Sequence, residues 1–346
     1  MAAHAGVAAI TASRALRTPH LVSDALRTKI AAAVAALDYV PNFSARALAS
    51  KSSDVLGVLI PSLTHSTFTD VLRGIHDGAA EGALQVQVGN TRFDPAEEER
   101  LVELFLRQRP AAMIVSGTSQ TPGARAALAA AGCPVVQIMD LTDDPIDMVI
   151  GFSHARAGRL MTEHLIAQGY RRIAFLSGWM NTRSHGRLMG YRQALAEAGL
   201  AEPCSVHSLS EAAVAGMVTR AAPGERPVLD FARPGFGREL LRQALAQAPT
   251  LDAVFCNNDS LALGVLFECQ ERGIAVPGRI GIAGFNDLDF ADAAHPSLSS
   301  VRTHRYRIGQ MAVAAVQDRL AGRPPGPAVV DVGVEIMARR STARTG

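Results

Sequence analysis

Cysteine is scarce in this chain of 346 residues, and its spacing excludes several kinds of protein. The four cysteines, Cys133, Cys204, Cys256 and Cys269, are far apart and include no Cys-x-x-Cys pair. This spacing excludes a zinc ribbon or a disulfide framework and is typical of a reducing cytoplasm. No apolar run reaches about 18 residues, and residues 1–14 lack the charged and apolar regions of a signal peptide. We therefore expect a cytoplasmic protein with no membrane span.

The sequence also lacks the short motifs of the common enzyme classes. It has no Gly-x-x-x-x-Gly-Lys-Ser/Thr phosphate loop, no His-Glu-x-x-His zinc motif and no Gly-x-Ser-x-Gly nucleophile elbow. Asp287, Asp289 and Asp292 form an acidic group, but their spacing matches no recognised set of metal ligands. We expect neither enzymatic activity nor a metal ion nor a cofactor.

What the chain does have is enough apolar sequence for a large core. Hydrophobic residues make up 48% and charged residues 19% of the chain. Its length suits two or three domains of about 100–200 residues each. From residue 55 onwards, short apolar runs alternate with amphipathic stretches, which predicts parallel sheets built from strand–helix–strand units. The units are too many for one sheet, so we expect two α/β subdomains.

The predicted elements follow one another at regular spacing. Strands are predicted at residues 55–60, 84–88, 112–116, 134–139, 148–152, 172–177, 253–257 and 279–285. Helices are predicted at residues 68–81, 95–108, 122–131, 155–168, 186–198, 237–246 and 260–272. Residues 200–234 contain four prolines and interrupt this alternation with an irregular segment.

Charge is distributed unevenly along the chain. The net charge of +2 argues against a protein that coats nucleic acid, but residues 1–54 have a balance of +3 and include both lysines. A basic segment on a near-neutral body is typical of a tethered nucleic-acid reader, although so small a bias also arises by chance. Helices are predicted in this segment at residues 2–5, 9–16 and 24–37, with Ser23 placed to cap the last one.

The first of these helices have the pattern of a helix-turn-helix, with Gly6 in the tight turn. A helix in the major groove presents its first turns to base edges, and an arginine can pair with guanine through two hydrogen bonds. The second helix would present Ala9, Ile10, Thr11, Ser13 and Arg14. An ordinary alanine-rich helical hairpin would contain the same residues, so this pattern alone leaves both interpretations open.

Motifs along nearly the whole chain resemble the LacI/GalR family of bacterial repressors. They are residues 11–16 (TASRAL), 22–23 (VS), 37–42 (LDYVPN), 56–61 (LGVLIP), 190–191 (GY), 254–259 (VFCNND), 282–285 (IAGF) and 339–342 (RRST). Residues 26–33 (LRTKIAAA), 71–75 (VLRGI) and 267–270 (FECQ) resemble specifically the gluconate-utilisation operon repressor subgroup. The resemblance implies an α/β fold. An N-terminal helix-turn-helix headpiece would precede a periplasmic-binding-protein-like core of two doubly wound parallel-sheet subdomains.

The same resemblance implies a domain organisation. The headpiece would cover residues 1–41, the hinge helix and linker 42–53, and the effector-binding and dimerisation core 54–346. One subdomain of the core would take about residues 54–152 and 304–328, and the other about 153–303 and 329–346. The family's headpiece usually opens with a short segment that has no counterpart here, so we expect the natural protein to begin upstream of Met1. Ala8 stands where a capping serine is usual, and Ala12 where a core valine is usual.

The resemblance also places the DNA contacts. They are Ala9, Ile10, Thr11, Ser13, Arg14, Asn42 and Leu48. Ala9, Ile10 and Arg14 match base-reading positions, whereas Thr11 and Ser13 match contacts to the DNA backbone. Residues 42–50 match a hinge helix that folds on DNA, and its Leu48 matches a leucine that wedges into the minor groove and kinks the central step.

A ligand cleft between the subdomains is the other site that the resemblance implies. Its matching positions are His65, Phe68, Asp140, Phe152, Arg187, Phe236, Asn258, Asn286 and Asp287. Carboxylate and amide groups suit sugar hydroxyls, an aromatic face suits the C–H side of a polyol, and Arg187 could pair with a carboxylate. As residues alone, the acidic and amide groups at strand ends could instead be helix or turn caps, and Arg187 a surface arginine. The family's Asp-Asn is Ser-His at residues 153–154 here, and its hinge-side proline is His304, which leaves the ligand's identity open.

These expectations combine into a repressor that binds a palindromic operator as a homodimer. Gluconate or a related sugar acid would bind in the cleft, change the angle between the subdomains and release the DNA. Two other functions fit an α/β body. A sugar-binding or sugar-acid-binding protein for solute uptake is disfavoured by the missing signal peptide and by residues 42–50, and a sugar-acid enzyme by the missing catalytic groups.

Overall fold

Two helices, Ala9–Arg17 and Asp24–Ala36, lie in the N-terminal part of the chain. The computed structural model describes residues 1–17, 21–38, 53–80, 82–206 and 233–344, and of residues 13, 16 and 17 the backbone only. The chain forms two compact units, Met1–Ser53 and Asp54–Gly346.

The first unit, which we call the headpiece, has a small apolar core around Ile30. This side chain is 1% exposed and packs with Ala5, Ala15 and Ala33, which are also buried. Ala12, which replaces the family's usual valine, is buried as well. Among the described residues, the fully buried part of this core is therefore mainly alanine methyl groups, against which Met1, Val7, Val22 and Val34 pack partly buried.

The beginning of the headpiece differs from the helix predicted at residues 2–5. These residues form hydrogen-bonded turns that lead into Gly6, whose φ is +57°. Four residues before a left-handed glycine are too few for a stable helix, so that prediction is wrong. Ser23 lies at the N-cap position of Asp24–Ala36 in an extended conformation, but its side chain makes no capping hydrogen bond.

The second unit, which we call the core, contains twelve described strands. They are β1 (Val55–Ile60), β2 (Gln85–Asn90), β3 (Ala112–Ser116), β4 (Val135–Ile138), β5 (Met148–Gly151), β6 (Ile173–Leu176), β7 (Ser205–Val206), β8 (Ala253–Cys256), β9 (Gly281–Ala283), β10 (Ser300–Arg302), β11 (Val329–Asp331) and β12 (Glu335–Met337). Its described helices are Ser66–Ala79, Pro95–Arg107, Pro122–Ala129, His154–Ala167, Thr182–Glu197, Pro234–Gln247, Asp259–Glu271, Phe290–Ala293 and Arg305–Leu320.

Two parallel sheets organise the core, as predicted. One sheet has the strand order β11-β5-β4-β3-β1-β2, and the other has the order β7-β6-β8-β9. Strands such as β3, β4, β6 and β8 are almost wholly buried, because helices cover both faces of a parallel sheet. The α/β fold with two subdomains is therefore confirmed.

The strand β11 lies at the subdomain boundary that is predicted at about residue 329. β11 pairs in parallel with β5 and so belongs to the first sheet. Only afterwards does the chain return to the second subdomain, where β12 pairs antiparallel with β10. Without β11, the side of β5 that faces away from β4 would be an open sheet edge with unpaired backbone groups.

The helix Arg305–Leu320, for which we predict no element, completes the first subdomain. It packs against Ser66–Ala79 so closely that a Cβ atom on Gly74 would lie 2.1 Å from the backbone oxygen of Tyr306. Its buried residues Ile308, Ala312 and Val316 repeat at four-residue spacing, the periodicity of a helix packed on one face.

Glycines also bring helices of the second subdomain into backbone contact. A Cβ atom on Gly264 would lie 1.8 Å from the backbone oxygen of Pro234, and one on Gly190 would lie 1.9 Å from that of Ala155. The first contact aligns the beginnings of Pro234–Gln247 and Asp259–Glu271. The second joins His154–Ala167 to Thr182–Glu197. None of the described helices is long and apolar enough to cross a membrane.

Candidate functional site

A cavity of about 100 Å³ lies where the carboxyl ends of strands from the two sheets face each other. Its walls come from both subdomains of the core, at the edge where ligands bind in open parallel sheets. The lining residues are Thr64, His65, Ser66, Thr67, Arg233, Pro234, Asn258, Ser260, Asn286 and Leu288. Three of the nine predicted ligand positions, His65, Asn258 and Asn286, line this cavity directly.

Asn258 shows how a strand end positions a polar side chain. It follows β8 and is the N-cap of Asp259–Glu271, where its Oδ1 accepts a hydrogen bond from the backbone N–H of Leu261 at 2.9 Å. The capping interpretation of Asn258 is therefore right, and the same residue also faces the cavity.

Asn286 has the most unusual environment of the predicted ligand positions. The residue is 4% exposed and has a φ of +106°. Its backbone N–H donates to the oxygen of Val301 at 2.9 Å, and its backbone oxygen accepts from Arg305. The side-chain Oδ1 is buried and has no hydrogen-bond partner among the residues that the structure describes. A buried acceptor that is left without a partner costs about 1–3 kcal/mol.

Asp140 is part of an ion pair between the subdomains. It follows β4, and its carboxylate oxygens lie 3.0 and 2.9 Å from Nε of Arg183, which belongs to Thr182–Glu197. Arg183 also donates to the hydroxyl of Ser116 at 3.1 Å. Burial by itself would raise the pKa of Asp140, but the charge of Arg183 and the hydrogen bond from His154 hold that pKa well below its ordinary value. Arg183 was not among the predicted residues.

His154 connects Asp140 to Arg187. Its Nε2 lies 2.8 Å from Oδ1 of Asp140, and its Nδ1 accepts from Nε of Arg187 at 3.2 Å. Burial lowers the pKa of His154 to about 4, although its hydrogen bond with Asp140 opposes the shift. The ring is therefore neutral near pH 7, and with Nδ1 acting as acceptor its proton is on Nε2.

Arg187 is held from several sides inside the core. It is 8% exposed, so the surface interpretation is wrong. Its Nη1 donates to Oδ1 of Asn257 at 3.0 Å, and its guanidinium lies 3.6 Å from the centre of the Phe285 ring. Burial, followed by the charge of Arg183, lowers the pKa of Arg187 to about 9. It remains protonated at neutral pH.

The four other predicted ligand positions do not line the cavity. Phe68, Phe152 and Phe236 are each at most 3% exposed and pack into the hydrophobic cores behind its walls. Asp287 is an ion-pair partner, 2.8 Å from Arg302 and 2.7 Å from Arg339. No group of three potential metal ligands occurs among the residues that the structure describes.

An aromatic pair joins the subdomains beside the cavity. Phe93 follows β2, Trp179 follows β6, and their ring centres are 5.2 Å apart in an edge-to-face arrangement. The rings are 37% and 38% exposed. Phe93 also touches His65 of the cavity wall, at 6.1 Å between ring centres. Phe93 and the preceding Arg92 both have positive φ angles, a conformation that costs energy in side-chain-bearing residues.

The helix Ala9–Arg17 is the candidate nucleic-acid surface. Ala9, Ile10 and Arg14 are exposed, and Thr11 is half-buried. Ile10 and Arg14 are four residues apart and share one face, with Ile10 67% exposed. The side chain of Ser13 is not described, and the predicted contacts Asn42 and Leu48 lie outside the described residues.

Comparison with known families covers nearly all of the chain. Residues 1–42 match the bacterial regulatory proteins of the lacI family. Residues 53–215 match the periplasmic binding proteins and sugar-binding domain of the LacI family, and residues 162–342 match a periplasmic-binding-protein-like domain. The HTH-type transcriptional regulator GntR of Pseudomonas aeruginosa is 38% identical over 99% of this chain and 94% of its own. The chain belongs to the LacI family.

Other relatives in the LacI family agree in sequence and structure. GntR of Escherichia coli is 37% identical over 95% of this chain and 93% of its own. A crystal structure of a LacI-family regulator from Silicibacter pomeroyi, 33% identical, covers 99% of this chain and 98% of its own with a TM-score of 0.85. The Lac repressor dimer bound to operator and the anti-inducer ONPF, 25% identical, covers 99% of this chain and 98% of its own with a TM-score of 0.80.

LacI-family membership decides the class of function. The chain is a DNA-binding transcriptional repressor, and the relatives named above are regulators rather than enzymes. Because the headpiece matches regulatory proteins, the alternative that the chain is a solute-binding protein without a DNA function is rejected.

Proposed function

We propose that this repressor binds a palindromic operator as a homodimer and releases it when a sugar acid such as gluconate binds in the cleft. The observation that carries the effector proposal is the cavity between the subdomains, whose lining, among the residues that the structure describes, offers hydroxyl, amide and guanidinium groups and no carboxylate. Such a lining suits a small polyol with an acidic group. The gluconate-utilisation subgroup, which the sequence resembles, indicates the same class of ligand.

The residue roles that we propose draw on the described geometry of the core and, for the DNA contacts, on the family resemblance. His65, Asn258 and Asn286 would contact the effector, and Asp140, Arg187, Phe68, Phe152, Phe236 and Asp287 would fix the shape and charge of its walls. Ala9, Ile10 and Arg14 would read bases, and Thr11 and Ser13 would contact the DNA backbone. Asn42 and Leu48 would act in the hinge.

Coupling between effector and operator would use the contacts that span the cleft. Arg183 joins Asp140 and Ser116 of the first subdomain to a helix of the second. The Phe93–Trp179 pair forms another such contact. A ligand that binds one arrangement of these contacts more tightly shifts the population toward that arrangement. A change in the angle between the subdomains would then reach the residues that begin the core.

A mobility-shift experiment tests the proposal. The full chain is expected to shift palindromic DNA selected from genomic fragments, and gluconate is expected to reverse the shift. Sedimentation of the complex is expected to give two chains per operator. Asn286→Gly keeps a residue that favours positive φ and removes the unpartnered amide, so the variant should bind DNA but respond weakly to gluconate. Failure of the wild-type chain to bind any selected DNA would overturn operator binding, and indifference to all sugar acids would overturn the effector class.

A further inference from the structure

Arg305 lies where the chain crosses from the second subdomain of the core to the first. It follows β10 by three residues and begins the helix Arg305–Leu320, and its side chain is 6% exposed. Its Nη1 donates to the backbone oxygen of Asn286, which belongs to the second subdomain. Its Nη2 donates to Oδ2 of Asp70 at 2.6 Å, and Asp70 belongs to the first. One buried guanidinium therefore joins the two subdomains.

The two helices that carry Arg305 and Asp70 pack as one body. A Cβ atom on Gly74 would lie 2.1 Å from the backbone oxygen of Tyr306, and one on Gly309 would lie 2.3 Å from a backbone oxygen of the facing helix. Helices whose backbones touch in this way interlock, because close-packed surfaces do not deform continuously. The guanidinium of Arg305 and the carboxylate of Asp70 therefore move together with the first subdomain.

The turn at residues 286–288 is fixed just as firmly to the second subdomain. Its three successive N–H groups donate to the backbone oxygen of Val301, to Oγ of Ser300 and to Oδ2 of Asp259, at 2.9, 2.9 and 2.8 Å. Asn286 and Asp287 both have positive φ angles, a conformation that persists when surrounding bonds determine it. The backbone oxygen of Asn286 therefore has a fixed position in the second subdomain.

These attachments make one bond sensitive to the angle between the subdomains. A rotation at the crossing leaves the Arg305–Asp70 pair intact but changes the distance from Nη1 of Arg305 to the oxygen of Asn286. Hydrogen bonds weaken steeply when their length or angle departs from the preferred values. The bond to Asn286 therefore belongs to the arrangement that this structure shows.

We propose that Arg305 is a positioning residue of the repressor, which holds the two subdomains in this arrangement by binding the backbone oxygen of Asn286. Asp70 in turn holds the guanidinium of Arg305 in place. Neither Arg305 nor Asp70 is among the described residues that line the cavity, so the pair acts on the angle of the cleft rather than on a ligand. The effect of Arg305 on regulation rests on the proposed function, whereas its effect on the cleft does not.

Two variants remove the bond to different degrees. Arg305→Met keeps much of the length of the side chain and removes all its donors, and Asp70 keeps an ion pair with Arg73 at 3.2 Å. Asp70→Asn is the milder change, because its side chain is 31% exposed and only its charge is removed. It keeps Arg305 but weakens the attachment of the guanidinium to the first subdomain.

Arg302→Met is the matched control. It removes a nearby arginine that is 2.8 Å from Asp287 and 3.6 Å from Glu335. Both of these partners belong to the second subdomain, so this variant breaks ion pairs at the same turn without breaking a contact between the subdomains.

Acrylamide quenching of Trp179 fluorescence measures the cleft of the full chain without ligand or DNA. The ring of this single tryptophan touches Phe93 of the first subdomain at 5.2 Å between ring centres, so separation of the subdomains exposes it. Loss of one charge-assisted hydrogen bond should lower the ratio of bonded to unbonded arrangements roughly tenfold or more. Arg305→Met should therefore raise the quenching constant, Asp70→Asn should raise it less, and Arg302→Met should leave it unchanged.

The affinities for two ligands separate positioning from a general loss of structure. A residue that biases a two-state equilibrium changes the affinities for an operator and for an inducer in opposite directions. Arg305→Met should therefore shift operator affinity in mobility shifts and gluconate affinity in calorimetry in opposite directions, each by up to roughly tenfold. A parallel loss of both affinities would indicate a damaged core and overturn the proposal.

The remaining outcomes are equally decisive. Quenching that is unchanged in both Arg305→Met and Asp70→Asn would overturn the proposal, and so would an equal rise in Arg302→Met. Because Asp70 acts through Arg305, the double variant should match Arg305→Met, and additive effects would overturn the role of Asp70. If wild type binds neither gluconate nor any other sugar acid, the proposed effector class fails, while the quenching series still decides the role of Arg305.

Discussion

The headpiece and the core are built from very different amounts of buried apolar surface. Among the described residues of the headpiece, Ile30 is the one large side chain that is fully buried, and alanines surround it. The core buries whole aromatic side chains, including Tyr170, Tyr191 and Phe255. Because hydrophobic stabilisation is roughly proportional to the apolar area removed from water, the described residues of the headpiece contribute much less of it than those of the core.

DNA binding and effector binding therefore depend on two units that are stabilised to different extents. The candidate base-reading residues sit on a helix of a weakly packed unit, whereas the candidate effector contacts sit at strand ends and helix starts of a well-packed one. DNA binding can therefore be lost without loss of effector binding. Variants in each unit test how far DNA binding and effector binding are independent.

The largest effect is expected at Ile30. Ile30→Ala removes the central side chain of the headpiece and should cost about 2–5 kcal/mol, which is comparable to all that so small a core supplies. Operator binding should disappear in mobility shifts, while calorimetric affinity for gluconate stays within about twofold of wild type. Ile30→Val, which should cost only about 0.5–1.5 kcal/mol, is the matched control. Retention of operator binding by Ile30→Ala would show that the headpiece is more stable than its packing indicates.

The contrast between the units also explains what the sequence can and cannot predict. The long central strands were found within a few residues, because a buried parallel strand is a continuous apolar run. Short strands such as β7 and β11 were missed, since their residues are few and partly exposed. The helix Arg305–Leu320 was missed although its apolar spacing is helical; its first residue is a buried arginine paired with Asp70, which no local pattern indicates.

The family resemblance predicted nine ligand positions, and three of them, His65, Asn258 and Asn286, line the cavity. These three lie at strand ends or helix starts, where parallel strands present their carboxyl ends at one edge. Arg183 was not predicted, since its pairing with Asp140 joins residues 43 positions apart through the packing of two subdomains. The unpartnered Oδ1 atom of Asn286 is likewise visible only in three dimensions.

A second prediction concerns buried titratable groups of the core. The pKa of His154 falls from 6.5 to about 4, so between these pH values the unfolded chain binds a proton that the folded chain refuses. Acidification through this window should therefore destabilise the core through His154 by up to about 3 kcal/mol. Burial raises the pKa of Asp259 from 3.8 to about 6, so acidification through that window stabilises the folded chain by a similar amount.

Because the two effects oppose each other, the free energy of unfolding of wild type should change little between pH 6.5 and pH 4. Single variants separate the effect of His154 from that of Asp259. His154→Gln should gain stability on acidification, because only the Asp259 effect remains. Asp259→Asn should lose stability on acidification by about 3 kcal/mol. Urea unfolding of the core at pH 6.5, 5.5 and 4.5 measures the slopes. Parallel slopes for the two variants would contradict the assigned shifts.

A third prediction moves to the surface of the headpiece. Arg14→Ala removes an exposed side chain of the candidate recognition helix and should weaken specific operator binding by about 1–3 kcal/mol, or roughly 5- to 150-fold. The unfolding of the headpiece and the affinity for gluconate should remain unchanged. The matched control is Arg27→Ala on the second helix, where the arginine is paired with Asp24. An equal loss for both variants would indicate a general effect of charge rather than base reading.

The smallest expected effect lies at the Phe93–Trp179 contact, and it tests whether the core behaves as one unit or as two halves. An edge-to-face pair contributes about 0.5–1.5 kcal/mol, so Phe93→Leu should weaken gluconate binding by roughly two- to tenfold if the contact stabilises the ligand-bound arrangement. Operator binding without ligand should stay within about twofold.

Trp179 is the chain's single tryptophan, so its fluorescence reports this contact directly. Gluconate should change the emission of wild type but much less that of Phe93→Leu, and Phe105→Leu, buried elsewhere in the first subdomain, serves as the control. An unchanged response in Phe93→Leu would mean that other contacts between the halves, such as the Arg183–Asp140 ion pair and the hydrogen bond of Arg305 to the backbone oxygen of Asn286, rather than the aromatic contact, couple effector binding to the change in cleft angle.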